Sequence, residues 1–209
     1  MSFIDKFVKQ CRKPHGRFGK FVARAMNLGH ARMRNWGLGH IPIGSDARIL
    51  DIGCGGGGTI KALAKNTPDG KVCGIDYSAE MVQLSMKVNQ TLIKKGLVEI
   101  KQGTVSSLPF ADNVFDLATA FETYYFWPNL IDDLREIRRV LKPGGILLIA
   151  NEVYKDAKFE KRNTKWARLI DMQLHTPDEY KDFLIQAGYR VVEIDVITEK
   201  NWITAVVKK

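Results

Sequence analysis

The chemistry of this chain starts at Gly53-Cys54-Gly55-Gly56-Gly57-Gly58, directly after the apolar stretch Ile49-Leu50-Asp51-Ile52. Glycine lets a chain turn sharply and lets its backbone approach a ligand closely. A helix is expected from Thr59 to Lys65, and its N-terminus would add N–H donors and positive potential at the same place. Gly53, Gly55 and Gly58 fit the G-x-G-x-x-G spacing of dinucleotide sites, a weak signal by itself. Asp51 argues in another direction. A carboxylate two residues before the first glycine would repel a pyrophosphate but attract an ammonium group. Asp76 ends a second apolar stretch, in Gly74-Ile75-Asp76-Tyr77-Ser78. A carboxylate at that strand end can accept both hydroxyls of a ribose, or it can simply cap the next helix.

A third group of residues is aromatic. Phe121-Glu122-Thr123-Tyr124-Tyr125-Phe126-Trp127-Pro128 could stack on a flat ligand or face a cation, and part of it must pack under its own loop. Glu122 could orient an ammonium group or act as a general base. His30, His40, His175, Tyr124 and Tyr125 are the other proton-transfer candidates. Among them His30, in Asn27-Leu28-Gly29-His30, is the first to test.

The elements that must position these residues follow from periodicity. Buried strands are expected at 48–52, 72–76, 98–102, 115–121 and 145–151, with helical stretches between them. Ser78 can cap a helix running to about Lys95, stopped by Gly96. Leu130, Ile131, Leu134, Ile137 and Leu141 line another, ended by Lys142-Pro143-Gly144-Gly145. Thr176-Pro177-Asp178-Glu179 has the form of a capping box with proline at the first helical position. Two strands, 191–196 and 203–207, close the chain with no helix between them. The alternation predicts an α/β fold with a mostly parallel sheet covered on both faces, and one antiparallel strand near the end. Before residue 46 the chain reads as helical. One apolar face holds Phe3, Ile4, Phe7, Val8 and Cys11, and a second holds Phe18, Phe21, Val22, Ala25 and Met26, separated by Pro14-His15-Gly16. A short third helix is expected over 31–36, ending near Gly37. The expected organisation is a helical cap at 1–45, a main domain at 46–209, and a substrate-side insertion at 152–175.

The 209 residues carry a net charge of +9. Residues 1–48 hold ten Lys/Arg and two acids, so the rest is nearly neutral. Such a segment attracts nucleic acid, anionic lipid or an acidic substrate, or is a solvated face. No apolar run is long enough to span a membrane, and Asp5, Lys6 and Lys9 break up the N-terminus as a signal peptide. Cys11, Cys54 and Cys73 are odd in number and lack C-x-x-C spacing, so neither a disulfide framework nor a zinc site is expected. The default compartment is the cytoplasm.

Five segments, in order, resemble the class I S-adenosylmethionine (SAM)-dependent methyltransferases. Residues 49–57 are similar to the family's D-x-G-x-G-x-G loop. Gly74-Ile75-Asp76-Tyr77-Ser78 resembles its ribose-binding strand end, and Gln102-Gly103-Thr104-Val105 with Leu108-Pro109-Phe110 its adenine-side loop. Residues 115–120 resemble its fourth strand, and Leu141-Lys142-Pro143-Gly144-Gly145 the turn before its fifth. The resemblance covers roughly residues 46–152 and is nearest in character to the ubiquinone/menaquinone-biosynthesis-like group. It implies a Rossmann-like sheet, SAM as cofactor with S-adenosylhomocysteine as product, and no metal. Asp51, Gly53, Cys54 and Gly55 would hold the methionine end of SAM and Asp76 the ribose. Tyr77 and Met81 would flank the adenine, with Thr104 and Val105 at its edge. Many relatives carry an acid where Thr104 stands. Phe121 and Glu122 would face the sulfonium and the acceptor, with Glu122, His30 and Tyr124 as catalytic candidates.

The acceptor implied is a small molecule, hydrophobic or anionic, under a lid formed by 1–45 and 152–175, which contains Tyr154, Phe159 and Trp166. Alternatively, the basic N-terminal helices lie on a membrane surface to collect a lipophilic substrate. Neither an Asn/Asp-Pro-Pro-Tyr/Phe motif nor a suitably placed nucleophilic cysteine is present, which argues against adenine amino and cytosine C5 methylation. An RNA methyltransferase using the basic N-terminus, a SAM-binding protein without turnover, and lastly a nicotinamide-dependent oxidoreductase are the alternative readings.

Overall fold

The structure is a computed structural model that describes Gln10 and residues 16–209. The helical face expected over residues 3–11, and the break at Pro14-His15, lie outside the described residues. Helices α1 (Gly16–Gly29) and α2 (Ala31–Leu38) lead into a seven-stranded sheet. Its strands are β1 (Arg48–Ile52), β2 (Lys71–Asp76), β3 (Val98–Gln102), β4 (Phe115–Phe121), β5 (Leu141–Asn151), β6 (Arg190–Ile197) and β7 (Trp202–Lys208). They lie in the order β3-β2-β1-β4-β5-β7-β6. The first five are parallel, and β7 runs antiparallel between β5 and β6. This is the mostly parallel sheet with one antiparallel strand expected from the alternation of elements, and the Rossmann-like sheet that the resemblance implies.

The connecting helices are α3 (Gly58–Asn66), α4 (Ala79–Val88), α5 (Gln90–Lys94), α6 (Leu130–Val140), α7 (Glu160–Ile170) and α8 (Pro177–Gln186). Side chains alternate across the strands, so each strand feeds two cores. Leu50, Ile52, Cys73, Ile75, Ala118 and Ala120 face α6 and α8. Ile49, Val72, Leu117 and Leu148 pack with Met33 of α2 and Ile60 and Leu63 of α3. Because both faces are covered, the central strands read as continuous apolar runs. Asp51 and Thr119 interrupt them on the α2 side.

Helix α2 ends at Leu38, next to the expected stop at Gly37, where the chain approaches the sheet closely: a Cβ at Gly37 would stand 3.0 Å from Ala150 Cβ. Three local expectations need correction. The helix expected from Ser78 to Lys95 is two helices broken at Asn89, whose Nδ2 donates to the carbonyls of Ser85 and Gly57, each at 3.0 Å. Ser78 occupies the N-cap of α4 but makes no side-chain cap bond; its N–H donates to Asp76 Oδ1 at 2.9 Å. The fifth strand starts at Leu141, which pairs with Phe115 before a register shift. The capping box at Thr176 is formed. The Glu179 N–H donates to Thr176 Oγ1 at 3.2 Å, and the Thr176 N–H to Glu179 Oε2 at 2.8 Å.

Candidate functional site

Between β1 and β4 the connections part, because β1 leads outward to β2 and β3 while β4 begins the other half. Open α/β sheets place ligands at such a point, beyond the carboxyl ends of the strands. A cleft lies there. Its wall includes Gly53–Gly56, Asp76, Tyr77 and Met81 on one side, and Phe121, Glu122, Phe126 and Trp127 on another. Met26 of α1, His30 before α2 and Arg34 within α2 complete it.

The glycine turn depends on its glycines. Gly53, Gly55 and Gly57 have φ of +69°, +49° and +80°, the left-handed region that side chains with a Cβ rarely adopt. A Cβ at Gly53 would also meet Thr123 Cγ2 at 2.3 Å. The Cys54 N–H donates to Ile75 O and the Gly55 N–H to Asp76 Oδ2, each at 2.9 Å, locking the turn against β2. Asp76 thus has one oxygen bonded to the loop and the other to Ser78. Burial raises its carboxyl, and those two N–H groups oppose the rise. Cys54 is buried, and burial pushes its thiol well up, so it is not a nucleophile at neutral pH.

Asp51 lies beneath the turn, 2% exposed. Its Oδ1 accepts from the Thr119 hydroxyl at 2.7 Å. Its Oδ2 is buried with no hydrogen-bond partner among the described residues. Burial pushes this carboxyl up to about 7, opposed by the Thr119 hydroxyl and the Arg34 charge. Arg34 carries the matching deficit. Its Nε is buried without a partner among the described residues, and burial lowers its pKa, with Asp51 opposing. A buried acceptor beneath the glycine turn and a buried donor on the cleft wall, each unpaired, suit a ligand bearing both a cation and an anion. Arg34 was missed in the sequence because it belongs to no motif. Its spacing of four from His30 was the available signal, since i and i+4 share a helical face.

Glu122 is the second feature. Its backbone has φ +60°, and its N–H donates to Ala150 O at 3.1 Å. The Tyr125 hydroxyl donates to its Oε2 at 2.7 Å, and the Glu152 N–H donates to its Oε1. His30 Nδ1 stands 3.7 Å from Oε2. Burial pushes the Glu122 carboxyl up to about 7. Burial lowers His30, with Glu152 opposing, and raises Glu152, assisted by the Glu122 charge.

The remaining candidates are placed as follows. Gly53, Cys54, Gly55, Asp76, Tyr77, Met81, Phe121, Glu122 and His30 line one cleft. Asp51, beneath the turn, and Tyr124, Thr104 and Val105 do not. Tyr124 is buried against Tyr180, with ring centroids 4.4 Å apart, and Tyr125 lies in the same core. The aromatic run is therefore divided, with Phe121, Phe126 and Trp127 toward the cleft. Thr104 is exposed, and Val105 is buried in the core. His175 packs against Phe183, centroids 4.8 Å apart, and His40 lies beside β6. Residues 152–175 contribute no lining residue. Their helix α7 is tied to the β6–β7 turn through Arg162, which donates to Asn201 Oδ1 at 2.8 Å.

Residues 50–149 match the family model described as a methyltransferase domain. The chain is 36% identical over 139 residues to a demethylmenaquinone methyltransferase of Lactiplantibacillus plantarum, covering 66% of this chain and 58% of that protein. It is 32% identical over 162 residues to an O-methyltransferase of Aspergillus nomiae, covering 76% of this chain and 71% of that one. Several such matches span little more than half of the relative's length. The geranyl diphosphate C-methyltransferase of Streptomyces coelicolor, solved with Mg2+, geranyl diphosphate and S-adenosyl-L-homocysteine, superposes with a TM-score of 0.77. That match covers 94% of this chain and 87% of the other at 15% identity, and so speaks for the fold alone. A glycine turn at the sheet's switch point, an acid at the end of β2 and relatives of this kind lead to one conclusion: the chain belongs to the class I SAM-dependent methyltransferases.

Proposed function

We propose that the chain transfers a methyl group from SAM to a small-molecule acceptor. The observation that carries this reading is the pair of unpaired buried groups, Asp51 Oδ2 and Arg34 Nε, beside a glycine turn. They fit the ammonium and carboxylate of the cofactor's amino-acid end. Gly53, Cys54 and Gly55 would hold its backbone side and Asp76 its ribose, with Tyr77 and Met81 about the adenine. Bound SAM supplies a methyl group already activated on a sulfonium. The protein's share is then to orient the acceptor and exclude water. Phe121, Phe126, Trp127 and Met26 give the acceptor side an apolar wall that suits a hydrophobic small molecule. Where the acceptor must lose a proton, Glu122 is the base, since a carboxyl near 7 is matched to neutral pH. His30 would assist it.

No helix among the described residues is long and apolar enough to cross a membrane. The buried free thiols Cys54 and Cys73 suit a reducing compartment, and we assign the cytoplasm on that ground. The test is label transfer. Methyl-labelled SAM is incubated with the protein and a cell extract, and metabolites, RNA and protein are separated, with Asp76→Ala as control. Label in the organic-soluble fraction, lost in the variant, is the expected result. Label in RNA would make the basic N-terminus a binding surface. SAM binding with no label in any fraction would favour a binder without turnover.

A further inference from the structure

A second polar cluster lies outside the cleft, where the end of the cap meets the sheet edge. His40 follows α2, and its Nδ1 is 2.9 Å from the carbonyl oxygen of Trp36. A carbonyl can only accept, so Nδ1 carries a hydrogen, and Nε2 either carries a second proton or offers a lone pair. Nε2 faces Asp195 Oδ2 at 3.2 Å and Glu193 Oε1 at 3.9 Å, both from β6. The three ligand atoms lie within 4.8 Å of one another. Two carboxylates turned on one imidazole nitrogen call for a positive charge between them, supplied by a proton on Nε2 or by a metal ion.

We infer that His40, Glu193 and Asp195 form a site for a first-row divalent cation that ties the end of α2 to the outer strand. The ligand type suits it. One imidazole and two carboxylates favour a borderline cation such as Zn2+ over Mg2+ or Ca2+. Metal–ligand bonds of about 2.0–2.2 Å place neighbouring tetrahedral ligands about 3.4 Å apart, between the two distances seen here. The Nδ1–H bond to Trp36 is the outer contact that orients a ligating histidine. The remaining oxygen of Asp195 accepts from the Val196 N–H at 2.8 Å, which holds that carboxylate in place. Both acidic side chains are 47% exposed, leaving room for a water ligand and for entry of the ion. The site is independent of the cleft, but α2 also carries Arg34, so occupancy would brace one wall of it.

The experiment is calorimetric titration of the chelator-treated full chain with Zn2+, repeated for His40→Gln, Asp195→Asn and Glu193→Gln. The inference expects one ion per chain with micromolar affinity, at least tenfold weaker in His40→Gln and in Asp195→Asn. It also expects a zinc-dependent rise in Tm that those variants lose. Co2+ should give a d–d spectrum without a thiolate charge-transfer band, which separates this site from binding at cysteine. If His40→Gln folds poorly, Glu193→Gln, on an exposed strand position, takes its place. Affinity unchanged by the substitutions, or no saturable binding below millimolar Zn2+, would overturn the inference and leave a proton on His40 as the bridging charge.

Discussion

Glu122 holds a backbone conformation that costs a non-glycine residue about 1–3 kcal/mol. The Ala150 carbonyl, the Glu152 N–H and the Tyr125 hydroxyl fix it there. As a base it would act only in turnover. Glu122→Gln is therefore expected to lower kcat by about 10²-fold or more while leaving SAM affinity within a few-fold, measured by product formation and calorimetry on one preparation. Equal losses in both would assign Glu122 to cofactor binding instead. Arg34 and Asp51 make the opposite pattern. Arg34→Ala should weaken SAM binding by about 1.5–3 kcal/mol, the range for a charged hydrogen bond, with Arg34→Lys in between. Asp51 titrates near 7, so SAM affinity should rise with pH through that value, and Asp51→Asn should abolish the rise. The two residues were not equally legible in the sequence. Asp51 stands beside a glycine run and could be read from its neighbours. Arg34 lies on a helix whose partners are distant in sequence, and only the fold reveals what it faces.

Helices and strands differed in legibility for physical reasons. The central strands are buried on both faces, so β1, β3 and β4 read at full length from apolar runs alone. The break between α4 and α5 left no such mark, because the apolar period continues across Asn89 and neither glycine nor proline interrupts it. Asn89 breaks the helix through a contact 32 residues away, its bond to Gly57 O, and so links the helix to the glycine turn. Asn89→Ala would leave that carbonyl without this donor. The expected loss is about 1–3 kcal/mol of stability, read from urea unfolding, with a weakening of SAM binding because the turn loosens. Gly57→Ala acts on the same junction from the other side. Its Cβ would stand 2.5 Å from Ser85 Oγ and 2.9 Å from Ser85 Cα at a φ of +80°, so it should destabilise at least as much. A substitution at Gly96, also at positive φ but with open space around it, should cost less. If Gly57→Ala and Gly96→Ala melt together, backbone strain alone sets the cost and the packing of the turn on α4 contributes nothing.

At the scale of the whole molecule, the cleft collects carboxyl groups whose pKa is raised. Asp51 and Glu122 are pushed to about 7, and Asp76 and Glu152 move the same way, all chiefly through burial. Their unfolded counterparts titrate near 4. Between those values the folded state binds more protons than the unfolded state, so stability falls as pH rises. For a group titrating at 7 the change from about pH 5.5 to about pH 8 is roughly 2 kcal/mol. Carboxyls held low by partners, such as Glu136 beside Arg139, lose their contribution only as pH falls below about 4.5 and do not oppose this trend. With no ion bound, His40, raised by its carboxylate neighbours, loses its contribution as pH rises and adds to it, whereas His30 and His175, lowered by burial, gain stability as pH rises through about 6.5 and offset part of it. Urea unfolding without ligand should therefore give a larger free energy at pH 5.5 than at pH 8, and Asp51→Asn should flatten the slope. Saturating SAM should flatten it too, because an ammonium beside Asp51 stabilises the ionised carboxyl that the empty fold disfavours. A slope that SAM leaves unchanged would place the cofactor's charge away from Asp51, and with it the socket formed with Arg34.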